Sequence, residues 1–298
     1  MINVSVRLAA ALLLGAILSS CGTTTYTATV RERDRNGRRI SAPVEIAHLP
    51  QKYPELKVLR DAAAFSAAVY VDVPVTTPLA DTASLPASWR EDTDLPRPFV
   101  PDRRQTPDLT YRLWVNTEAK PSIALLVFRG THIPADWISN LRWIDFWWPI
   151  EDHYEQTERV TPRIVETIRN RYGASTTIMT AGHSLGGGLA QTAAYAACGD
   201  ITTVFAFDSS PVTKHRAANS CAGGSSPRNF YRVFEQSEIL SYARFVVRLA
   251  LGLRGEDPHM TEVKVHLFQG VGVRAHSMQD LASKLDAALQ HPATAELR

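Results

Sequence analysis

The hydrophobic and polar positions alternate between strand-like and helix-like patterns along the second half of the chain. Short β-branched and apolar runs predict strands at 109–116, 122–130, 176–181, 201–207, 229–234 and 262–268. Apolar residues at helical spacing predict helices at 55–71, 155–173 and 185–198, and a last helix that starts near Ser277. Strands that alternate with helices predict an α/β fold, with a mostly parallel sheet covered by helices on both faces.

The first residues have a different pattern, with one charge at Arg7, an apolar run from Leu8 to Leu18 and then small residues up to Cys21. This order is typical of a secretory signal peptide over 1–20. Leu18-Ser19-Ser20-Cys21 also resembles the bacterial lipobox, which implies lipidation of Cys21, and Gly22 after it implies the outer membrane. The alternative is a simple signal peptide with a chance cysteine. We predict a lipidated, polar tether over 21–45 and a protein anchored in the bacterial cell envelope.

Composition limits the number of domains, the kind of binding partner and the state of the cysteines. A chain of 298 residues with 45% hydrophobic residues can bury the core of one large domain, and a net charge of +2 without a long basic run argues against nucleic-acid binding. Two cysteines remain, Cys198 and Cys221. Outside the cytoplasm they can form a disulfide, and the alternative is two buried free thiols.

The segment around Ser184 carries the clearest chemical signal. Gly182-His183-Ser184-Leu185-Gly186 matches G-x-S-x-G, with a predicted strand before it and a predicted helix after it. In hydrolases this context places a nucleophilic serine on a sharp strand-to-helix turn, at the start of a helix whose N–H groups favour negative charge. We predict that Ser184 is a nucleophile, and the alternative is a turn made only for packing.

A serine nucleophile needs a base, and in this arrangement the acid and then the histidine follow the serine in sequence. Of the late histidines, His266 falls in a predicted strand, His259 in the loop before it and His291 beside Pro292 in the tail. His276 follows the last predicted strand and precedes the last helix, so we predict His276 as the base.

The acid should follow the strand predicted at 229–234. Glu235 and Glu238 both qualify, and Asp208 closes the preceding strand. Either type of carboxylate can orient the imidazole and stabilise its charge, so the three alternatives stay open on this argument.

Three segments resemble the class 3 (fungal-type) lipases of the α/β-hydrolase fold: LLVFRGT, DWISNL and TAGHSLGGGLA. The resemblance implies an α/β-hydrolase domain over 46–298 with Ser184 as nucleophile and His276 as base. VFEQSEIL resembles the segment that holds the family acid, which implies Glu238. The family's R-G-[ST] residue implies Thr131 as an oxyanion donor, beside the N–H of Leu185.

Four of the six tryptophans lie in WISNLRWIDFWWPI, just after the D-W pair, where these lipases carry a lid. Trp143, Trp147 and Trp148 are therefore candidates for a lid that meets lipid, since indole suits a membrane interface. The alternative is ordinary core packing.

These observations predict a serine hydrolase of lipid carboxylic esters: a triacylglycerol lipase, a phospholipase A1 or an esterase. No cofactor is expected, because no ligand spacing for zinc or calcium, no P-loop and no dinucleotide fingerprint occurs in the sequence. The alternative function is a surface lipoprotein that binds lipid or a protein partner with a degenerate triad.

Overall fold

The computed structural model describes residues 27–33, 38–45, 58–70, 85–95, 109–130, 153–210, 229–235, 260–267 and 277–290. Its elements are β1 (Thr27–Arg33), β2 (Arg39–Glu45), α1 (Leu59–Ala68), β3 (Arg90–Asp92), β4 (Tyr111–Asn116), β5 (Ile123–Phe128), α2 (His153–Tyr172), β6 (Thr177–His183), α3 (Leu185–Ala196), β7 (Ile201–Phe207), β8 (Asn229–Glu235), β9 (Met260–His266) and α4 (Met278–Gln290).

The strands form one sheet in the order β2-β1-β9-β8-β7-β6-β5-β4-β3. The five central strands, β5 to β9, run parallel, and the outer strands pair antiparallel. Phe128 pairs with Gly182, and His183 pairs with Phe207, so the carboxyl ends of these strands are level. Residues that directly follow the central strands therefore meet at one edge, which we call the active-site edge.

Helices cover both faces of the sheet. Side chains of a strand alternate between faces, and along β5 Leu125 and Val127 join one buried cluster while Leu126 and Phe128 join another. Residues of α1 and α4 complete the first cluster, and residues of α2 and α3 complete the second. The prediction of an α/β-hydrolase fold with helices on both faces is confirmed.

The N-terminal segment differs from its prediction. The predicted tether at 21–45 contains β1 and β2, and β1 pairs with β9 within the sheet. Ala28 and Val30 are 1% and 2% exposed, so this hairpin shares the core of the domain. Charged residues interrupt the short alternation of apolar and polar positions in both strands. The tether therefore does not extend beyond Thr27.

A second short strand lies in a region predicted to be loop. Arg90–Asp92 pairs antiparallel with β4. It contains only charged residues, so no apolar pattern predicts it. The strand is defined by its main-chain pairing at the sheet edge. Among the helices in the described part of the chain, none is long and apolar enough to cross a bilayer.

Candidate active site

Ser184 lies on a sharp turn between β6 and α3. Its φ of 57° and ψ of −123° fall in a region that residues other than glycine rarely adopt. Such a backbone conformation typically costs about 1–3 kcal/mol of folding free energy. The turn is held by main-chain bonds: Ser184 N–H donates to the Phe207 carbonyl over 3.0 Å, and the Ser184 carbonyl accepts the Ser210 N–H over 3.0 Å. This strand–turn–helix context is the one predicted for a nucleophile.

The glycines that flank Ser184 are required by close packing. A methyl group at Gly182 would overlap the carbonyl of Gly186, and one at Gly186 would overlap the carbonyl of Phe128. Neither clash can be relieved by rotating a side chain, because the obstructing atoms are backbone. The two glycines thus allow the turn to close against the end of β5.

The segment after β5 lies directly against this turn. A Cβ atom at Gly130 would sit 2.6 Å from the His183 carbonyl and 3.3 Å from the Gly186 nitrogen. Leu185 is the first residue of α3, so its N–H lies among the helix amides that lack an intrahelical partner. Thr131, the other predicted oxyanion donor, follows Gly130 immediately and lies outside the described residues.

Tyr70 joins these two segments, and sequence reasoning missed it. Its hydroxyl accepts the Gly130 N–H over 3.2 Å and lies 3.2 Å from Nδ1 of His183. The same hydroxyl is 3.5 Å from the His183 carbonyl. Burial raises the pKa of Tyr70 well above its ordinary value, so the phenol stays protonated and can donate. Tyr70 thereby connects the segment before Thr131 to the residue before Ser184.

Two buried carboxylates connect the neighbouring strand ends. Asp208 follows β7 and its Oδ1 accepts the Glu235 N–H over 3.1 Å, while Glu235 Oε2 accepts the Leu267 N–H over 2.8 Å. Asp208 and Glu235 are 0% and 1% exposed. Their side chains therefore fix the ends of β7, β8 and β9 relative to one another.

Polar contacts also tie the surrounding helices to this edge. The Tyr154 hydroxyl, in the first turn of α2, donates to Ser210 Oγ over 3.1 Å. In α3, Gln191 Nε2 donates to the Gly187 carbonyl over 2.9 Å and to Ser209 Oγ over 3.4 Å. Both helices thus contact the loop that follows β7 and supports the Ser184 turn.

The structure brings four of the candidates together at the active-site edge: Ser184, Leu185, Asp208 and Glu235. The others, apart from Cys198, lie outside the described residues: Thr131, Glu238, His276, Cys21, Cys221, Trp143, Trp147 and Trp148. Cys198 is disulfide-bonded, and its partner is not among the described residues, so the pairing with Cys221 stays a prediction. The described part of the chain contains no group of three or more potential metal ligands.

A family model described as phospholipase-like, a Tle-like phospholipase domain, matches residues 61–243, which is more than half of the chain. No curated protein matches the chain.

Several solved structures are similar to the chain at low identity. The Rhizomucor miehei lipase in its propeptide complex has a TM-score of 0.43 at 16% identity, over 64% of this chain and 62% of that one. A lipase from Yarrowia lipolytica has a TM-score of 0.43 at 17% identity, over 65% and 75%. An esterase from Pyrobaculum calidifontis has a TM-score of 0.39 at 13% identity, over 82% and 95%. The chain therefore spans less than two thirds of the Rhizomucor lipase.

Proposed function

The chain belongs to the Tle-like phospholipase domain family, and we propose that it is a serine hydrolase that cleaves carboxylic esters of membrane lipids. Membership of a phospholipase-like family supports lipid-ester hydrolysis as the general class of reaction. Phospholipid comes first among the substrates for the same reason, ahead of triacylglycerol and short soluble esters.

The backbone of Ser184 is the observation that carries this proposal. A serine held at φ 57° and ψ −123° between a buried strand and a helix has a strained backbone conformation. Such strain is typical of sites where a side chain must be presented to a substrate. Its position at the carboxyl ends of parallel strands is also where α/β folds bind their ligands.

In the proposed mechanism, Ser184 Oγ attacks the ester carbonyl while His276 removes its proton. His276 then protonates the leaving alcohol, and a water molecule hydrolyses the acyl-enzyme by the same route in reverse order. Glu238 orients the His276 imidazole and stabilises its positive charge.

Charge develops on the carbonyl oxygen during the attack. The N–H of Leu185 and the N–H and hydroxyl of Thr131 are the proposed donors to that oxygen. The contact between Gly130 and the Ser184 turn supports this role for Thr131, since one peptide bond separates Thr131 from a residue packed against His183.

The proposal includes the place where the reaction occurs. Cys21 carries the lipid anchor, and the enzyme is held in the bacterial envelope, at the outer membrane. Replacing Cys21 with serine should leave an uncleaved or mislocalised precursor. Wild-type protein that fractionates as freely soluble would contradict the anchor without affecting the hydrolase assignment.

Removal of the nucleophile tests the reaction. Purified wild-type protein and Ser184→Ala are incubated with a fluorophosphonate probe, p-nitrophenyl esters of graded chain length and phospholipid vesicles. We expect the variant to lose labelling and to lose ester hydrolysis by several orders of magnitude, with an unchanged melting temperature. Equal labelling of the two proteins would overturn the assignment of Ser184.

A further inference from the structure

We propose that the lipid anchor holds the active-site edge against the membrane that carries it, so that the enzyme hydrolyses lipids of its own leaflet. This inference rests on the proposed function and on the anchor at Cys21. It adds an orientation, a membrane-facing surface and a substrate source that the reaction alone does not specify.

The direction of β1 carries the inference. β1 runs antiparallel to β9, and its first residue, Thr27, pairs with His266 at the carboxyl end of β9, while Arg31 pairs with Glu262. The chain therefore enters the domain at the active-site edge and moves away from it along β1. Had β1 run parallel to β9, the anchor would have joined the opposite edge.

Thr27 and Ser184 lie on the same edge of one rigid sheet. β1 and β6 are separated by β9, β8 and β7, so four strand spacings place them about 19 Å apart across the edge. The intervening strand ends are fixed to one another through Leu267, Glu235 and Asp208. The position of Thr27, where the anchoring segment joins the domain, is thus set relative to Ser184 by the sheet.

The reach of the anchor favours one orientation. Five residues lie between Cys21 and Thr27, and the six Cα–Cα steps that join them span about 20 Å when fully extended. The seven-residue strand β6 is itself about 20 Å long. If the active-site edge faced away from the membrane, the connection would have to run fully stretched along the side of the sheet. If that edge faces the membrane, the connection does not need to be stretched.

The hairpin also transmits the restraint to the domain. β1 is paired on both sides, with β2 and with β9, and Ala28 and Val30 are buried in the core. A flexible linker would let the domain tumble, but the described chain is already part of the sheet at Thr27.

Positive charge near the other end of β1 favours the opposite orientation, with the active-site edge away from the membrane. Arg38 is exposed and directly precedes β2, at the end of the β1–β2 pair away from the active-site edge, and anionic lipid would attract it. When the active-site edge faces the membrane, Arg38 lies about one strand length from the lipid surface, which exceeds the Debye length of about 8 Å at physiological ionic strength. The short tether therefore dominates the orientation.

Energy transfer measures the orientation without any need for activity. Glu118, in the exposed β4–β5 turn at the far edge, and Glu155, exposed in the first turn of α2 beside the active-site edge, provide a matched pair of label sites. Lipidated full-length Glu118→Cys and Glu155→Cys carry the same fluorophore in vesicles that contain an acceptor lipid. The disulfide at Cys198 keeps that residue from competing for the label.

We expect stronger transfer from the label at position 155 than from the label at position 118, in zwitterionic and in anionic vesicles. Equal transfer from the two sites, or a reversed order in either lipid, would overturn the orientation. This result does not depend on hydrolysis, so it separates a wrong orientation from a wrong reaction.

A change of tether position tests the consequence for the substrate. In a mature chain that lacks residues 1–20 and carries Cys21→Ser, a thiol introduced by Gly22→Cys or by Glu118→Cys couples the chain to a maleimide lipid in phospholipid vesicles. With equal activity on a soluble ester, the chain tethered at 22 should hydrolyse vesicle lipid roughly tenfold faster than the chain tethered at 118. Equal rates on lipid would overturn the inference alone, whereas loss of both activities in both chains would overturn it together with the proposed function.

Discussion

The phenol oxygen of Tyr70 lies 3.2 Å from Nδ1 of His183, a residue 113 positions later in the sequence. The same oxygen accepts the N–H of Gly130. One hydroxyl thus joins the residue before the proposed nucleophile to the residue before the proposed oxyanion donor Thr131. We interpret Tyr70 as a positioning residue that sets the distance between Ser184 and the oxyanion site.

Removal of this hydroxyl should lower catalysis more than it lowers substrate binding. In Tyr70→Phe the ring still packs, but the two segments lose their common partner, and a small displacement should reduce kcat roughly 10- to 100-fold with little change in KM. Steady-state kinetics on a soluble ester and the rate of fluorophosphonate labelling measure the effect.

Tyr172→Phe is the matched control. It removes a phenol that donates to Asp92 over 2.8 Å at the far end of α2. Both variants lose a hydrogen bond worth about 1 kcal/mol or more of unfolding free energy, but only Tyr70→Phe should lose kcat. An equal kcat in both variants would show that Tyr70 serves stability alone.

The two glutamates near the end of β8 should behave differently. Glu238→Gln removes the proposed charge beside His276 and should reduce kcat by about four orders of magnitude without a change in stability. Glu235→Gln keeps an amide oxygen that can accept the Leu267 N–H, so most activity should remain. Glu235→Ala should lower the melting temperature, because the Leu267 amide loses its buried partner. If Glu235→Gln lost activity and Glu238→Gln retained it, Glu235 would be the acid beside His276 and Glu238 would not.

Local patterns predicted the parts of the fold that depend on neighbouring residues in sequence. The strand predicted at 201–207 has the same bounds in the structure, and the strand–turn–helix context of Ser184 needs only adjacent residues. Gly173, predicted to end α2, has a φ of 101° and bonds the Arg169 carbonyl.

The remaining features depend on distant parts of the chain. Tyr70 meets His183 only because α1 packs on the sheet, so no spacing in the sequence announces the contact. Glu235 was a plausible acid by its position after a strand, but its partner Leu267 is set by the pairing of β8 with β9. The β1–β2 hairpin is held by β9, which its own charged sequence could not reveal.

Gly182 and Gly173 separate two reasons why a glycine is required: lack of room for a side chain, and a positive φ. A Cβ at Gly182 would meet the Gly187 nitrogen at 2.9 Å as well as the Gly186 carbonyl, whereas a Cβ at Gly173 would meet nothing within 4 Å. Gly182→Ala should cost about 3 kcal/mol of unfolding free energy and abolish activity, because the turn cannot close. Gly173→Ala should cost about 1–2 kcal/mol through its positive φ alone and keep full activity. Urea unfolding and ester hydrolysis of both variants check this, and an active Gly182→Ala would contradict it.

The partner of Cys198 can be identified from stability. With Cys221 as the partner, the disulfide closes a loop of about 20 residues and should contribute about 3 kcal/mol to the unfolding free energy. Cys198→Ser, Cys221→Ser and the double variant should then be destabilised by the same amount. A Cys221→Ser variant as stable as wild type would exclude this pairing.

The predicted lid concerns the tryptophans between Gly130 and His153. Both flanking residues belong to elements that meet the active-site edge, one against the Ser184 turn and one in the helix whose Tyr154 bonds Ser210. If Trp147 and Trp148 contact lipid, their indole rings gain by leaving water only when an interface is present. Changing both to serine should then reduce hydrolysis of vesicles while nearly sparing a soluble ester.

Trp114→Ser is the control for a core position, since Trp114 is 2% exposed and packs on Phe65. Its loss should lower the unfolding free energy by roughly 3–5 kcal/mol and lower both activities together. A Trp147 and Trp148 variant that behaves like Trp114→Ser, with a lower melting temperature and equal losses on both substrates, would refute the lid.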